Sequence, residues 1–328
     1  MPRRFDVCNG DADGLCATLQ WRLHEPLAAT LVTGLKREIA LLGGVMANAA
    51  DEINVFDLSM ERNRAALTRL LAAGVRVRYF DHHAVSDIPS HPLLEAHIDG
   101  ASDVCTSLLV DRRLGGAFRA WALVGAYGDN LAEVADRLAA DSGIDSADSA
   151  RLRLLGEAIN YNAYGDDERD VHIAPARLYM ILTRYRDPRD MLVHESIADE
   201  IDALRRADLR QALNCPPRWQ NERGSVHVLH DAAWIRRVLG CLANELANAQ
   251  PHCAPAVLKE QSNGAYSASV RAPLASPAGA DALCRRFGGG GRARAAGIDA
   301  LPAVELDRFV AAFAAARWGE PAMTTRPV

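Results

Sequence analysis

Short groups of acids and histidines stand directly behind apolar runs in the N-terminal part of the chain. Asn9-Gly10-Asp11-Ala12-Asp13-Gly14 follows Phe5-Asp6-Val7-Cys8, Asp57 sits in Val55-Phe56-Asp57-Leu58, and Asp81-His82-His83 follows the run from Val75 to Phe80. Each group alone has an ordinary explanation. Asp-x-Asp-Gly behind a strand makes a turn and caps a helix, a lone Asp57 at a strand end serves as a cap, and Asp-His-His can line a solvated loop. The ordered set, each member at the end of a strand, says more. Four carboxylates (Asp11, Asp13, Asp57, Asp81) and two imidazoles (His82, His83) gathered in one place are costly unless cations neutralise them. Oxygen-rich donors with imidazole favour Mn²⁺ or Mg²⁺ over a thiolate-seeking metal. A pair of such ions is the usual device for attacking a phosphate ester.

The elements that must position these groups alternate between strand and helix. Phe5 to Cys8, Leu27 to Leu35, Ile53 to Phe56 and Val75 to Phe80 read as strands, with helices through Leu15 to Leu23, over Arg37 to Met46, and from Ser59 to Gly74. Such alternation implies right-handed crossovers and parallel strands. The carboxyl ends of parallel strands share one edge, and ligands bind in the crevice outside it. Residues distant in sequence therefore converge there. His97 and Asp99 follow a fifth strand near the same edge and are equally well explained by structural roles. Beyond about residue 130 helices dominate, with a charged connecting helix over Asp187 to Leu213 that ends at Pro216-Pro217. Strands then return at Val226 to Leu229, Ala256 to Lys259 and Ala265 to Arg271, with helices over Ala232 to Asn248 and Ala303 to Trp318. The tail from Gly319 is expected to fray. The fold class is α/β: an N-terminal, mostly parallel sheet with helices on both faces (1–186), a linker helix (187–217), and a smaller C-terminal α/β domain with a mixed sheet (218–328).

Composition narrows the function. The 328 residues carry 37 Lys+Arg against 42 Asp+Glu, a net charge of -5, which disfavours gripping long duplex nucleic acid through many phosphates. Lys36 and Lys259 are the only lysines. Seven scattered cysteines without Cys-x-x-Cys read as reduced thiols, and no apolar run is long enough for a membrane span. A cytoplasmic protein is expected.

Asp11-Ala12-Asp13-Gly14, Asp57, Asp81-His82-His83 and a later Gly128-Asp129 together resemble the four motifs of the DHH phosphoesterases. Ser269-Val270-Arg271 with Gly289-Gly290-Gly291-Arg292 to Gly297 is similar to the glycine-rich signature of the C-terminal domain associated with them. The resemblance spans residue 5 to about 315 and takes in nanoRNase- and pAp-phosphatase-like members and the RecJ relatives. It implies that Asp13, Asp57, His82 and Asp129 hold one Mn²⁺, while Asp11 and a bridging Asp57 contribute to a second, Mg²⁺ being the alternative ion. The two ions would activate a water for attack on phosphorus, with His83 against the phosphate.

There are departures from the family pattern. Val7 replaces a histidine common four residues before the first motif aspartate; Asn9 could supply an oxygen there or orient a water. Arg292 stands where the glycine signature usually has histidine. A glycine loop entering a helix lets backbone N–H groups approach a phosphate, although a flexible loop is the plain alternative. Arg271, Gly289, Gly290, Gly291 and Arg292 are thus the candidates for holding the far end of a substrate across an interdomain cleft. Tyr161-Asn162-Ala163-Tyr164-Gly165 reads as a core or hinge segment, with base stacking the other possibility.

The expected function is a Mn²⁺-dependent phosphoesterase acting on a small phosphorylated compound: a short single-stranded oligonucleotide, a dinucleotide or a nucleotide. No membrane or long duplex is expected as a partner, and a homodimer is allowed. Inorganic pyrophosphate or polyphosphate is the second substrate class. A non-catalytic nucleotide or phosphate sensor that lost a metal ligand is the reading from another class, motivated by Val7 and Arg292.

Overall fold

The computed structural model of the chain describes residues 2–319. Five strands, β1 (Arg4–Asn9), β2 (Thr30–Gly34), β3 (Glu52–Phe56), β4 (Arg76–Asp81) and β5 (Leu94–Ile98), form a wholly parallel sheet in the order β2-β1-β3-β4-β5. Helix α1 (Ala12–His24) follows β1, and α2 (Met60–Ala72) follows β3. Neighbouring residues in the central strands serve opposite faces, as the twofold period of a strand requires. Cys8, Phe56 and Phe80 pack with α1, whereas their predecessors Val7, Val55 and Tyr79 pack with α2. The chain thus leaves β1 towards one face and β3 towards the other. This order parts the connections between β1 and β3, and a crevice opens at their carboxyl ends.

The helix expected over Arg37 to Met46 does not form. That stretch holds only a 3-10 turn, Leu41–Gly44. Gly43 and Gly44 are poor helix residues, and the segment is fixed by tertiary contacts instead. Leu42 and Val45 are buried against the α2 face, and Asn63 accepts from the Leu42 N–H at 3.2 Å while donating to the Ile39 carbonyl at 2.6 Å.

A helical layer completes the face that carries α1: α3 (Thr106–Arg113), α4 (Arg119–Gly128), α5 (Ala132–Asp141), α6 (Ser146–Asn162), α7 (Pro175–Leu182) and α8 (Pro188–His194). The connecting segment is helical in two pieces, α8 and α9 (Ile197–Leu213), interrupted at Glu195 and Ser196. The chain divides into two compact units between Arg205 and Arg206.

The second unit has its own core and a mixed six-stranded sheet. Its elements are β6 (Trp219–Asn221), β7 (Gly224–Leu229), α10 (Ala233–Ala249), β8 (Ala254–Glu260), β9 (Tyr266–Arg271), α11 (Ala280–Arg285), β10 (Gly290–Gly291), β11 (Ala295–Leu301) and α12 (Leu306–Ala314). β8 and β9 pair antiparallel around Gly264, whose φ of 79° suits the turn. The last helix is shorter than expected: a 3-10 turn at Ala303–Glu305 precedes α12, which ends at Ala314. The tail beyond Gly319 lies outside the described residues.

The glycine run does not enter a helix, contrary to expectation. It leaves α11 and becomes β10, paired with β11 through Gly290↔Gly297 and Gly291↔Ala296. A Cβ on Gly289 would lie 2.2 Å from the Gly297 carbonyl oxygen, so the glycine there permits backbone to lie against backbone. All seven cysteines are free, and no helix among the described residues is long and apolar enough to cross a membrane.

Candidate metal centre

The turn behind β1 aims two carboxylates into the crevice. Asp11 caps α1, accepting from the Gly14 N–H at 3.0 Å. Asp13, in the first turn, accepts the two N–H groups that open α3, from Thr106 at 2.8 Å and Ser107 at 2.7 Å. Those donors are unpaired within their own helix, so a carboxylate satisfies them and meets the positive end of the α3 dipole. Close packing makes the contact possible. A Cβ on Gly125 of α4 would stand 2.1 Å from Ser107 Oγ and 3.3 Å from Asp13 Oδ1, and one on Gly128 would stand 2.4 Å from the Ala12 Cβ.

Asp57 lies behind β3 with φ of 56°, a left-handed backbone for a non-glycine residue. Such strain costs on the order of 1–3 kcal/mol and persists where surroundings enforce it. Here the Asp57 N–H donates to the Phe80 carbonyl at 3.0 Å, and the Thr106 hydroxyl donates to the Asp57 carboxylate at 3.3 Å. His82, behind β4, has Nδ1 2.9 Å from the Val104 carbonyl. A carbonyl only accepts, so Nδ1 carries the proton and Nε2 presents its lone pair to the crevice. Nε2 lies 3.2 Å from Asp57 Oδ1 and 3.8 Å from Asp13 Oδ2. Asp129 follows the last residue of α4, with Oδ2 3.8 Å from the His82 ring. A carboxylate at that helix end faces the negative pole of the dipole and gains from a cation.

Asp81 does not join the crevice carboxylates, contrary to expectation. It is fully buried and accepts from the backbone N–H groups of His82 (2.9 Å), His83 (3.2 Å) and Met60 (3.3 Å). Its Oδ1 also lies 2.6 Å from His83 Nδ1, so Asp81 orients that ring. Burial pulls the His83 pKa down, but the Asp81 carboxylate outweighs it and the net direction is upward, towards imidazolium. The Asp57 carboxyl is pushed well above its usual range, by burial first and then by the charges of Asp11 and Asp13.

Lys36 is the residue that sequence reasoning missed. It stands just behind β2, at the same sheet edge, with its ammonium on the Asp11 carboxylate, 3.0 Å from Asn160 Oδ1 and 5.6 Å from the centre of the Tyr164 ring. Burial works against the charge of Asp11, yet the Lys36 ammonium holds that carboxyl below the ordinary carboxylate pKa. Asn9 shapes the turn: its Oδ1 accepts from the Asp11 N–H at 3.2 Å and its Nδ2 donates to the Lys36 carbonyl at 3.3 Å. Val7 faces the apolar α2 side. Thr106, Ser107 and Asn160 were also missed, because nothing in their local sequence sets them apart.

In each of two groups, Asp57, His82 and His83, and Asp13, His82 and Asp129, the potential ligand atoms lie within 4.8 Å of one another. Buried carboxylate oxygens beside a neutral imidazole nitrogen are a donor set that fits a hard divalent cation. His97 and Asp99 lie apart from it in role. His97 stacks on Phe80 at 4.4 Å, and Asp99 accepts from the Ala101 N–H at 3.0 Å. Tyr161 is fully buried, as a core residue. In the second unit, Arg271 pairs with Ala295 across β9 and β11, and the Arg292 N–H donates to the Ala295 carbonyl at 2.8 Å, which brings their backbones together at one hairpin. Arg271 Nε is 2.7 Å from Asn244 Oδ1.

Neither a protein-family model nor a curated protein sequence matches this chain. Solved structures do. A DHH domain of a member of the s1p family of ribosomal proteins superposes with a TM-score of 0.61 at 14% identity, over 95% of this chain and 86% of that one. Exonuclease RecJ bound to manganese gives 0.55 at 19%, over 95% and 89%. The pGpG-specific phosphodiesterase PggH from Vibrio cholerae gives 0.54 at 15%, over 94% and 97%. At these identities the likeness is one of fold.

Proposed function

We infer that this chain, which has the fold of the DHH-domain proteins, is a metal-dependent phosphoesterase whose substrate is a short oligonucleotide, dinucleotide or nucleotide. The observation that carries the reading is the meeting of Asp13, Asp57 and His82 Nε2, from three separate strand ends, within 3.2–3.8 Å of the imidazole. Asp13, Asp57, His82 and Asp129 would hold a divalent cation, Mn²⁺ in preference to Mg²⁺. When bound, it neutralises the carboxylates, polarises a phosphoryl oxygen and makes water a nucleophile near neutral pH. The protein's own part is preorganisation. Val104 fixes the His82 tautomer, the α3 N-terminus fixes Asp13, and the backbone of Asp57 is held in a conformation its side chain alone would not choose. His83, whose ring Asp81 orients, is the group to face the phosphate and stabilise charge that develops on it.

Substrate class follows from charge and likeness together. A net charge of -5 disfavours long duplexes. Two structures of this fold are named for action on a dinucleotide and as an exonuclease. In the second unit, Arg271, Gly289, Gly290, Gly291 and Arg292 are the candidates for contacting a phosphorylated ligand.

The test is a panel of dinucleotide, short RNA, bisphosphate nucleotide, pyrophosphate and polyphosphate with the purified protein and Mn²⁺. Turnover on the nucleotide members that disappears in Asp57→Ala supports the reading. Turnover confined to pyrophosphate or polyphosphate reassigns the substrate. Tight metal and nucleotide binding with no turnover makes the protein a sensor.

A further inference from the structure

We propose that the Lys36 ammonium takes the place of one of the two divalent cations that such a crevice would otherwise require, so that the centre carries a single divalent ion. The proposal rests on the metal-centre reading above and concerns how many ions that centre takes.

Three observations converge. First, Asp11 is already matched. Its carboxylate is buried at 2% exposure and carries the Lys36 ammonium. Second, Lys36 is built into place rather than draped over the surface. Its backbone N–H donates to the Ala163 carbonyl at 3.0 Å, and its carbonyl accepts from Asn9 at 3.3 Å. Its ammonium is shared between Asp11 and Asn160, with the Tyr164 ring 5.6 Å away. An aromatic face and an amide oxygen are partners suited to an ammonium. Third, both groups of clustered ligand atoms share His82, and neither includes Asp11. His83 Nδ1, moreover, is engaged by Asp81 at 2.6 Å. The remaining donors therefore gather around the His82 ring, Asp13 and Asp57 at Nε2 and Asp129 3.8 Å from Nδ1, while Asp11 already holds a fixed positive charge. A second dication there would have to displace an ammonium from its carboxylate and would be repelled by it. Lys36 also follows β2 as Asp11 follows β1, so the cation comes from the same sheet edge as the anion it neutralises.

The experiment counts Mn²⁺ per chain by equilibrium dialysis with elemental analysis, and reads Mn–Mn coupling by electron paramagnetic resonance on the full-length protein. The wild type is expected to take one ion and show no coupling. Lys36→Met, which keeps the stem and removes the charge, is expected to take a second ion, and adding Asp11→Asn to it returns the count to one. Should Lys36→Met fail to fold, Asp11→Asn alone decides: in the wild-type background it is expected to leave Mn²⁺ affinity within about a hundredfold, the upper end of the loss for a supporting contact. Two coupled ions in the wild type overturn the proposal while leaving the metal centre intact. So does a folded Lys36→Met that still takes one, or a loss of affinity well beyond about a hundredfold in Asp11→Asn. A wild type that binds no ion overturns the metal-centre reading itself.

Discussion

Replacing Asp57 by asparagine removes one negative charge from the crevice while keeping the turn that carries it, since asparagine tolerates the left-handed backbone at φ 56° about as well as aspartate. Two opposite consequences should appear in thermal melts. Without metal, burial and then the charges of Asp11 and Asp13 oppose the ionised form of the Asp57 carboxyl, so its folded pKa is raised above the unfolded value. Its contribution is then fully present below the ordinary carboxylate range and is lost as pH rises through the raised folded pKa. In chelator, the wild type should lose stability across that window, and Asp57→Asn should melt at a higher temperature at neutral pH. With Mn²⁺ the order reverses. At about 100 times Kd a ligand adds about 2.7 kcal/mol. At about 2–4 °C per kcal/mol for a unit of about 200 residues, the first unit of the wild type should rise by about 5–11 °C. The variant should lose most of that rise. Differential scanning calorimetry with chelator and with excess Mn²⁺ checks both arms. An equal Mn²⁺ shift in the two proteins would refute the placement of Asp57 in the centre, and no shift in the wild type would refute the centre.

Asp13→Asn should behave in the opposite sense without metal. It leaves one of the Thr106 and Ser107 N–H groups facing an amide NH₂, which costs about 1–3 kcal/mol and shows as a lower apo melting temperature. Gly125→Ala forces a methyl against Ser107 Oγ, so it should destabilise by about 1–3 kcal/mol and weaken Mn²⁺ binding, both readable by titration calorimetry and melting. Asp81→Asn should lower the pKa of His83, seen in the imidazole resonances. The His83–Asp81 contribution to stability, present below the ordinary histidine range and lost as pH rises through the raised folded pKa, should shrink in that variant. An unchanged titration would show that another group holds the His83 proton.

Strand ends were readable because they obey one rule. A parallel strand delivers whatever follows it to a common edge, so Asp11, Asp13, Asp57 and His82 could be grouped without knowing a contact. The same rule, applied to β2, would have found Lys36, one of two lysines in the chain. Nothing in its local sequence marks it, and only the Asp11 carboxylate it meets gives it a role. Asp81 was misplaced for a different reason. A strand's last side chain can turn inward, and only the three N–H groups it meets reveal that it does. The helix expected over Arg37 to Met46 gives way to a pinned loop, which paired glycines and the Asn63 contacts favour. Glycines at 289 to 291 were read through a phosphate-cradle pattern, when their nearest neighbour is the strand Ala295–Leu301. Thr106 and Asn160 had no local signal at all, since each matters through a partner far away in the chain.

Asp129 differs from the other crevice carboxylates in standing at the C-terminal end of a helix, α4, whose Gly125 and Gly128 lie against the Ser107 side chain of α3 and the Ala12 Cβ of α1. An ion seated on Asp13, Asp57, His82 and Asp129 would therefore rivet the helical layer to the sheet beneath it. Demetallation should then loosen that layer ahead of the strands, with amide protons of α4 exchanging sooner than those of β1 and β3.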